Sequence, residues 1–84
     1  MSAEAGEGPA DVAVARLPVA LGAFLKLAGA VRSGGEAKER IATGAVHVNG
    51  QVERRRGRSL VAGDVVEVDA RHLRVASSAP VGGA

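Results

Sequence analysis

The chain has 84 residues, with 11 Lys/Arg against 9 Asp/Glu, a single aromatic side chain (Phe24) and no cysteine. This length allows one small domain, whose core must be built from Leu, Val, Ile and Ala. Disulfides, thiolate zinc sites and thiol nucleophiles are excluded, and no apolar run approaches the ~18 residues of a membrane-spanning helix. The net charge is only +2, but it is unevenly spread. Residues 1–16 carry Glu4, Glu7 and Asp11 against Arg16, whereas Arg54, Arg55, Arg56 and Arg58 crowd into one short stretch, broken only by Gly57 and preceded by Glu53 as its one acidic neighbour.

In chain order, residues 1–14 are small, acidic and punctuated by Gly6, Gly8 and Pro9, and are expected to be a flexible lead-in. They lack both the basic start and the apolar run of a secretory signal, so a cytoplasmic, soluble protein is expected. The stretch LPVALGAFLKLAG then reads as a helix: Leu17, Leu21, Phe24, Leu25 and Ala28 repeat at helical spacing, Pro18 suits a first turn, and Gly29 can end it. A short link, Ala30-Val31-Arg32, leads to SGGEAKERIATG. Ser33 followed by Glu36 is a capping-box signature, Ala37 and Ile41 form the buried face, and Gly44 closes this second helix.

The period then changes from 3.6 to 2. Val46 and Val48 share one face of a strand with His47 on the other, and Asn49-Gly50 is the strongest short signal for a two-residue hairpin turn. Gln51-Val52-Glu53 begins the return, Gly63-Asp64 marks a second turn before Val65-Val66-Glu67-Val68, and His72-Leu73-Arg74-Val75 closes the sheet. The expected fold is α+β, a two-helix hairpin packed on a small antiparallel sheet over residues 15–76, followed by a flexible tail over 77–84.

The chemistry-bearing residues are cationic. Four arginines beyond a turn suit a solvated loop or a polyanion-gripping one. The second possibility gains from Arg32, Ser33, Gly34 and Gly35 at the opening of the second helix, where free amides favour phosphate, with Lys38 and Arg40 further along. Glu36 opposes this, because its charge would lie against the same amides. Gly34-Gly35 would alternatively serve close packing between the helices. His47 and His72 have no partner at metal-ligand spacing, and no triad, nucleotide-binding glycine loop or carboxylate pair is present, so neither cofactor nor catalysis is implied.

Four segments in order and at matching spacing carry a resemblance: Leu25 to Gly29, Ser33 to Lys38, Gly44 to Gly50 and Gly63 to Val68. The stretch resembles the S4 RNA-binding domain, the αL-type module first named from a small-subunit ribosomal protein. The resemblance implies a non-catalytic, monomeric module that binds structured RNA (ribosomal or transfer), with the ribosome as a candidate partner. Carried onto this chain, the RNA-facing residues would be Lys26, Arg32, Ser33, Gly34, Gly35, Lys38, Arg40, Asn49, Gln51, Arg54, Arg55, Arg56 and Arg58. Ser33-Gly34-Gly35 departs from members that carry a further basic or polar side chain there.

With Phe24 on the apolar stripe, no aromatic is left to stack on bases. Recognition should rest on phosphates, 2′-hydroxyls and shape, with an arginine plane as the one stacking surface. Replacing all four arginines of the run is then expected to weaken RNA binding while leaving the fold intact. Two other readings compete. A ubiquitin-like sulfur carrier also has a Val-Asn-Gly hairpin, a Gly-Asp turn and a Gly-Gly end, but here Ala84 covers Gly83 and two helices stand where a hairpin should lead. A protein-docking module on the ribosome would use the same basic loop on an acidic partner.

Overall fold

A computed structural model of the chain describes residues 8–78. The expected termini at 1–7 and 79–84, including Gly82-Gly83, lie outside the described residues. Seven strands and two helices follow in the order β1 (Ala10–Val14), β2 (Val19–Ala20), α1 (Leu21–Leu27), α2 (Gly34–Ala42), β3 (Val46–Val48), β4 (Gln51–Val52), β5 (Ser59–Leu60), β6 (Val65–Val68) and β7 (Arg71–Ser77). Five strands form one sheet in the order β1-β7-β6-β3-β4, and β2 pairs with β5 in a separate two-stranded ribbon.

The fold is α+β, with the helical pair and the hairpin where the sequence placed them. The sheet differs in three respects. It is mixed rather than wholly antiparallel, because β1 runs parallel to β7 with Val12 opposite Val75 and Val14 opposite Ser77. It begins at Ala10, inside the stretch whose acidic, glycine-containing composition suggested a flexible lead-in. The Val12-Ala13-Val14 alternation supplies that strand, and Val14 is buried against the core. Strand β7 also extends through Ser77, the first residue of the expected tail. Arg74 Nε donates to Asp11 Oδ1 at 2.7 Å and ties the two strands on their outer face.

Helix α1 is shorter than its apolar stripe suggests. Pro18 precedes the helix instead of opening it, and Gly29, at φ 74°, ends the turn that follows. Leu21, Phe24 and Leu25 are fully buried and pack with Ala37 and Ile41 of α2 and the inward valines of β3 and β6. Burying each large side chain contributes ~1.5–3 kcal/mol, whereas exposed ion pairs contribute ~0–1 kcal/mol. The apolar stripe therefore holds the helices to the sheet, and the surface charges add little.

The second helix opens largely as its sequence indicates. Ser33 Oγ accepts the Glu36 N–H at 3.1 Å, but Glu36 Oε1 accepts the N–H of Arg32, at 2.7 Å, rather than that of Ser33. The carboxylate thus reaches one residue beyond the usual box and pins the link between the helices.

Asn49 and Gly50 turn the β3–β4 hairpin at φ 53° and 88°. The Asn49 side chain does a second job: its Oδ1 accepts the Val65 N–H at 2.9 Å and its Nδ2 donates to Asp64 Oδ1 at 3.1 Å. Asp64 Oδ2 in turn accepts the Val61 N–H at 2.9 Å. Two turns far apart in sequence are clasped by one amide and one carboxylate. Replacing Asn49 with Ala removes both bonds and the side chain most tolerant of a left-handed backbone, and is expected to lower stability by about 2 kcal/mol. Asn49→Gly keeps the backbone freedom and should lose about half as much; urea denaturation of both variants checks the order.

Candidate nucleic-acid interface

The placement of the arginine segment follows from an uncapped helix. Ala20 at the start of α1 offers no side-chain cap, and the first N–H groups of a helix need acceptors. The segment's own carbonyls supply them: the Leu21 N–H donates to Arg58 O at 2.8 Å and the Gly22 N–H to Arg56 O at 3.0 Å. The seam continues into the β2–β5 ribbon, where Ala20 faces Ser59 and Val19 faces Leu60. Gly22 permits the approach, because a Cβ there would lie 2.7 Å from Arg56 Cγ.

Glu53 fixes the segment from the other side. It is the only buried charged residue among those described, at 7% exposure. Its Oε2 accepts the backbone N–H of Arg55 at 3.0 Å and Arg55 Nε at 2.9 Å, and its Oε1 accepts Arg58 Nη1 at 2.7 Å. The Arg55 guanidinium foremost, then that of Arg58 and the Arg55 amide, hold the Glu53 carboxyl down at about 2, against an ordinary value of 4.5. Arg54 turns the opposite way, lying over Gly44, and donates from Nη1 to Ala42 O at 3.1 Å. A cation there meets the negative end of α2.

The four arginines therefore divide. Arg54, Arg55 and Arg58 have intramolecular partners, although the Arg55 side chain remains 75% exposed and presents its outer edge to solvent. Arg56 has no acidic partner among the described residues. This changes the expectation that all four can be removed with the fold intact: without Arg55 and Arg58 the buried Glu53 carboxylate would be stranded.

Arg56 lines an open groove of about 620 Å³ with Lys26 and Leu27 of α1 and Gly34 and Ala37 of α2. Ala20, Gly22, Ala23 and Gly57 complete its walls. Residues of three separate segments thus meet, two of them cations. Arg32 and Lys38 are exposed on the link and on α2 beside it, also without acidic partners among the described residues. A Cβ at Gly34 would meet nothing within 4 Å and one at Gly35 only Ser33 Oγ at 3.8 Å, so these glycines are not a packing device.

Other expected site residues are otherwise engaged or lie apart. Arg40 bridges Glu36 and Asp69, joining α2 to the β6–β7 turn. Asn49 is occupied by the clasp, and neither it nor exposed Gln51 lines the groove. The residues that sequence reasoning passed over are Glu53, Gly22, Ala23, Leu27 and Gly57. A lone acid at the head of an arginine run and a glycine inside a helical stripe were the available signals for the first two.

Two short helices on a small mixed sheet, with unpaired cations around one groove, define an α+β module suited to holding a polyanion. The chain belongs to the S4 domain family, whose model matches residues 12–76. It is 49% identical over 51 residues to the probable ribosome maturation protein RlbA of Bacillus subtilis, covering 61% of this chain and 72% of that one. It also resembles the solution structure of YbcJ from E. coli, described as revealing an αL motif involved in RNA-binding. That likeness has a TM-score of 0.66 and 34% identity, over 90% of this chain and 98% of the other. In the ubiquitin-like alternative a leading hairpin is required; here β1 and β2 pair with β7 and β5 instead of with each other.

The Glu53 anchor has a pH signature. Because its folded value lies below the ordinary one, the unfolded chain takes up the proton first as pH falls. Its stabilising contribution is therefore complete above about 4.5 and lost by about 2. Glu53→Gln is expected to melt at a lower temperature than the wild type at pH 6, with the gap closing between pH 4.5 and 2; thermal melts followed by circular dichroism check this.

Proposed function

We propose that this chain is a non-catalytic RNA-binding module that holds structured RNA, ribosomal or transfer, through the face built from α1, the start of α2 and the arginine segment. The observation that carries the reading is the meeting of Lys26 and Arg56 across one groove beside Arg32 and Lys38, all four lacking acidic partners among the described residues. Cations that could have been neutralised within the fold, as Arg40, Arg55, Arg58 and Arg74 are, have been left outward on this side. Membership of the S4 family and the likeness to YbcJ, whose αL motif is described as involved in RNA-binding, support the polyanion being RNA. The RlbA relative, by its name a probable ribosome maturation protein, favours ribosomal RNA and the ribosome as the setting. In this reading the protein acts as a cytoplasmic monomer, and no helix among the described residues is long and apolar enough to cross a membrane.

The roles within the face follow from the partners. Lys26, Arg32, Lys38 and Arg56 meet phosphate oxygens directly, and Arg55 offers its exposed edge. Arg54 and Arg58 position the segment. Ser33 and Glu36 set the angle of the link that carries Arg32. Each phosphate neutralised steepens the salt dependence of log affinity by ~0.7–0.9.

Fluorescence anisotropy with a labelled ribosomal RNA stem-loop tests this. Changing Lys26, Arg32, Lys38 and Arg56 together to Ala is expected to weaken binding roughly 100-fold at moderate salt and to flatten the log–log salt slope by about 3. Arg40→Ala should leave affinity within about twofold. Equal affinity for the fourfold variant and the wild type would contradict the assignment.

A further inference from the structure

Resting on the RNA-binding reading, we infer that the groove between α1, the start of α2 and Gly57 seats a single unstacked, extrahelical base of the RNA, with the face of the Arg56 guanidinium as its stacking plane while the guanidinium edge keeps its phosphate contact, and Leu27 and Ala23 as its floor. The grounds are the mismatch between this groove and a purely phosphate-gripping one. Leu27 is 56% exposed, more than Val52 or Val61, the other large apolar side chains left open among the described residues. It lines the same groove as Lys26 and Arg56. Phosphates and 2′-hydroxyls gain nothing from an apolar floor. A paired stem would leave Leu27 and Ala23 uncovered. A base turned out of its stack has two apolar faces and is flanked by two phosphates, which matches an apolar floor rimmed by cations.

The space is kept open by the residues around it. A Cβ at Gly34 or Gly57 would meet nothing within 4 Å, so the walls are set back where a planar ring must enter. The Arg56 stem crosses the surface of α1 at Gly22, with Cγ only 2.7 Å from where a Cβ would stand. Its backbone is held there by the Gly22 N–H, so the guanidinium projects from a fixed root. Arginine planes serve as stacking surfaces for unpaired bases, and this chain has no free aromatic ring to do so. The module would then discriminate RNAs that carry a bulged or looped-out nucleotide next to a stem, at any base, since stacking is tolerant of sequence.

The test uses two stem-loops identical except for one bulged 2-aminopurine, with anisotropy reporting affinity and 2-aminopurine emission reporting the base. The wild type is expected to bind the bulged stem roughly 5- to 150-fold more tightly than the uninterrupted one, with a change in emission at saturation. Ala23→Leu, at an exposed helix position that accepts Leu, fills the floor and leaves every cation in place. It should bind the uninterrupted stem within twofold of the wild type, lose the preference and leave emission unchanged. Leu27→Gln, which makes the floor polar, should reduce the preference in the same direction. Equal wild-type affinity for the two stems, or a preference that survives Ala23→Leu, overturns the base seat while leaving phosphate gripping intact. Failure to bind either stem overturns the RNA-binding reading and this inference with it.

Discussion

Two hydrogen bonds hold the candidate interface together: the N–H groups of Leu21 and Gly22 donating to the carbonyls of Arg58 and Arg56. A helix that begins with Ala20 and Leu21 has no side chain to satisfy its first amides, and the arginine segment brings its carbonyls to them. The bond is obligatory in both directions. The helix needs acceptors, and the segment, otherwise a loop between β4 and β5, needs a place. Once it is fastened, the guanidinium of Arg56 must emerge beside Lys26, and the groove between the helices acquires a cationic rim. Gly22 is the residue that makes the contact possible, because any side chain there would meet the Arg56 stem.

The buried Glu53 completes this arrangement by an electrostatic division of labour. Four arginines in five positions repel one another, and a carboxylate at their root offsets the repulsion while drawing two of them inward. Its pull on Arg55 and Arg58 costs some positive charge at the surface. What it gains is a defined geometry, since a loop of free arginines would have to be ordered anew by each ligand. The same logic explains Arg54, which closes the end of α2 through Ala42 O. The cations facing outward are then few, and they are set by backbone bonds instead of by their own flexible stems.

How much of this could be read from the residues depended on the range of each interaction. The apolar stripe of α1, the Ser33 cap, the Asn49-Gly50 turn and the alternation of β3 and β6 are local, and each was legible because neighbours in sequence decide it. Strand β1 was missed because its partner, β7, lies at the opposite end of the chain and its acidic, glycine-rich approach outweighed a short valine alternation. The two-residue strands β2 and β5 leave no period to detect. At the site, residue types were legible and their roles were not. That Arg40 would be taken by Asp69, Arg55 and Arg58 by Glu53, and Asn49 by Asp64 follows only from the fold bringing those groups together. The groove itself, made largely of Ala, Gly and one exposed Leu, carries no compositional signal.

The central claim is that the helix pair and the arginine segment, and not the open face of the sheet, meet the ligand. Amide chemical-shift mapping of isotopically labelled protein with a ribosomal RNA stem-loop tests it most directly. The account predicts perturbations concentrated at Ala23–Leu27, Arg32–Lys38 and Arg55–Gly57 that fade as salt is raised, with His47, Glu67 and His72 on the outer sheet face unmoved. Perturbations centred on those three sheet residues, with the groove unmoved, would contradict it.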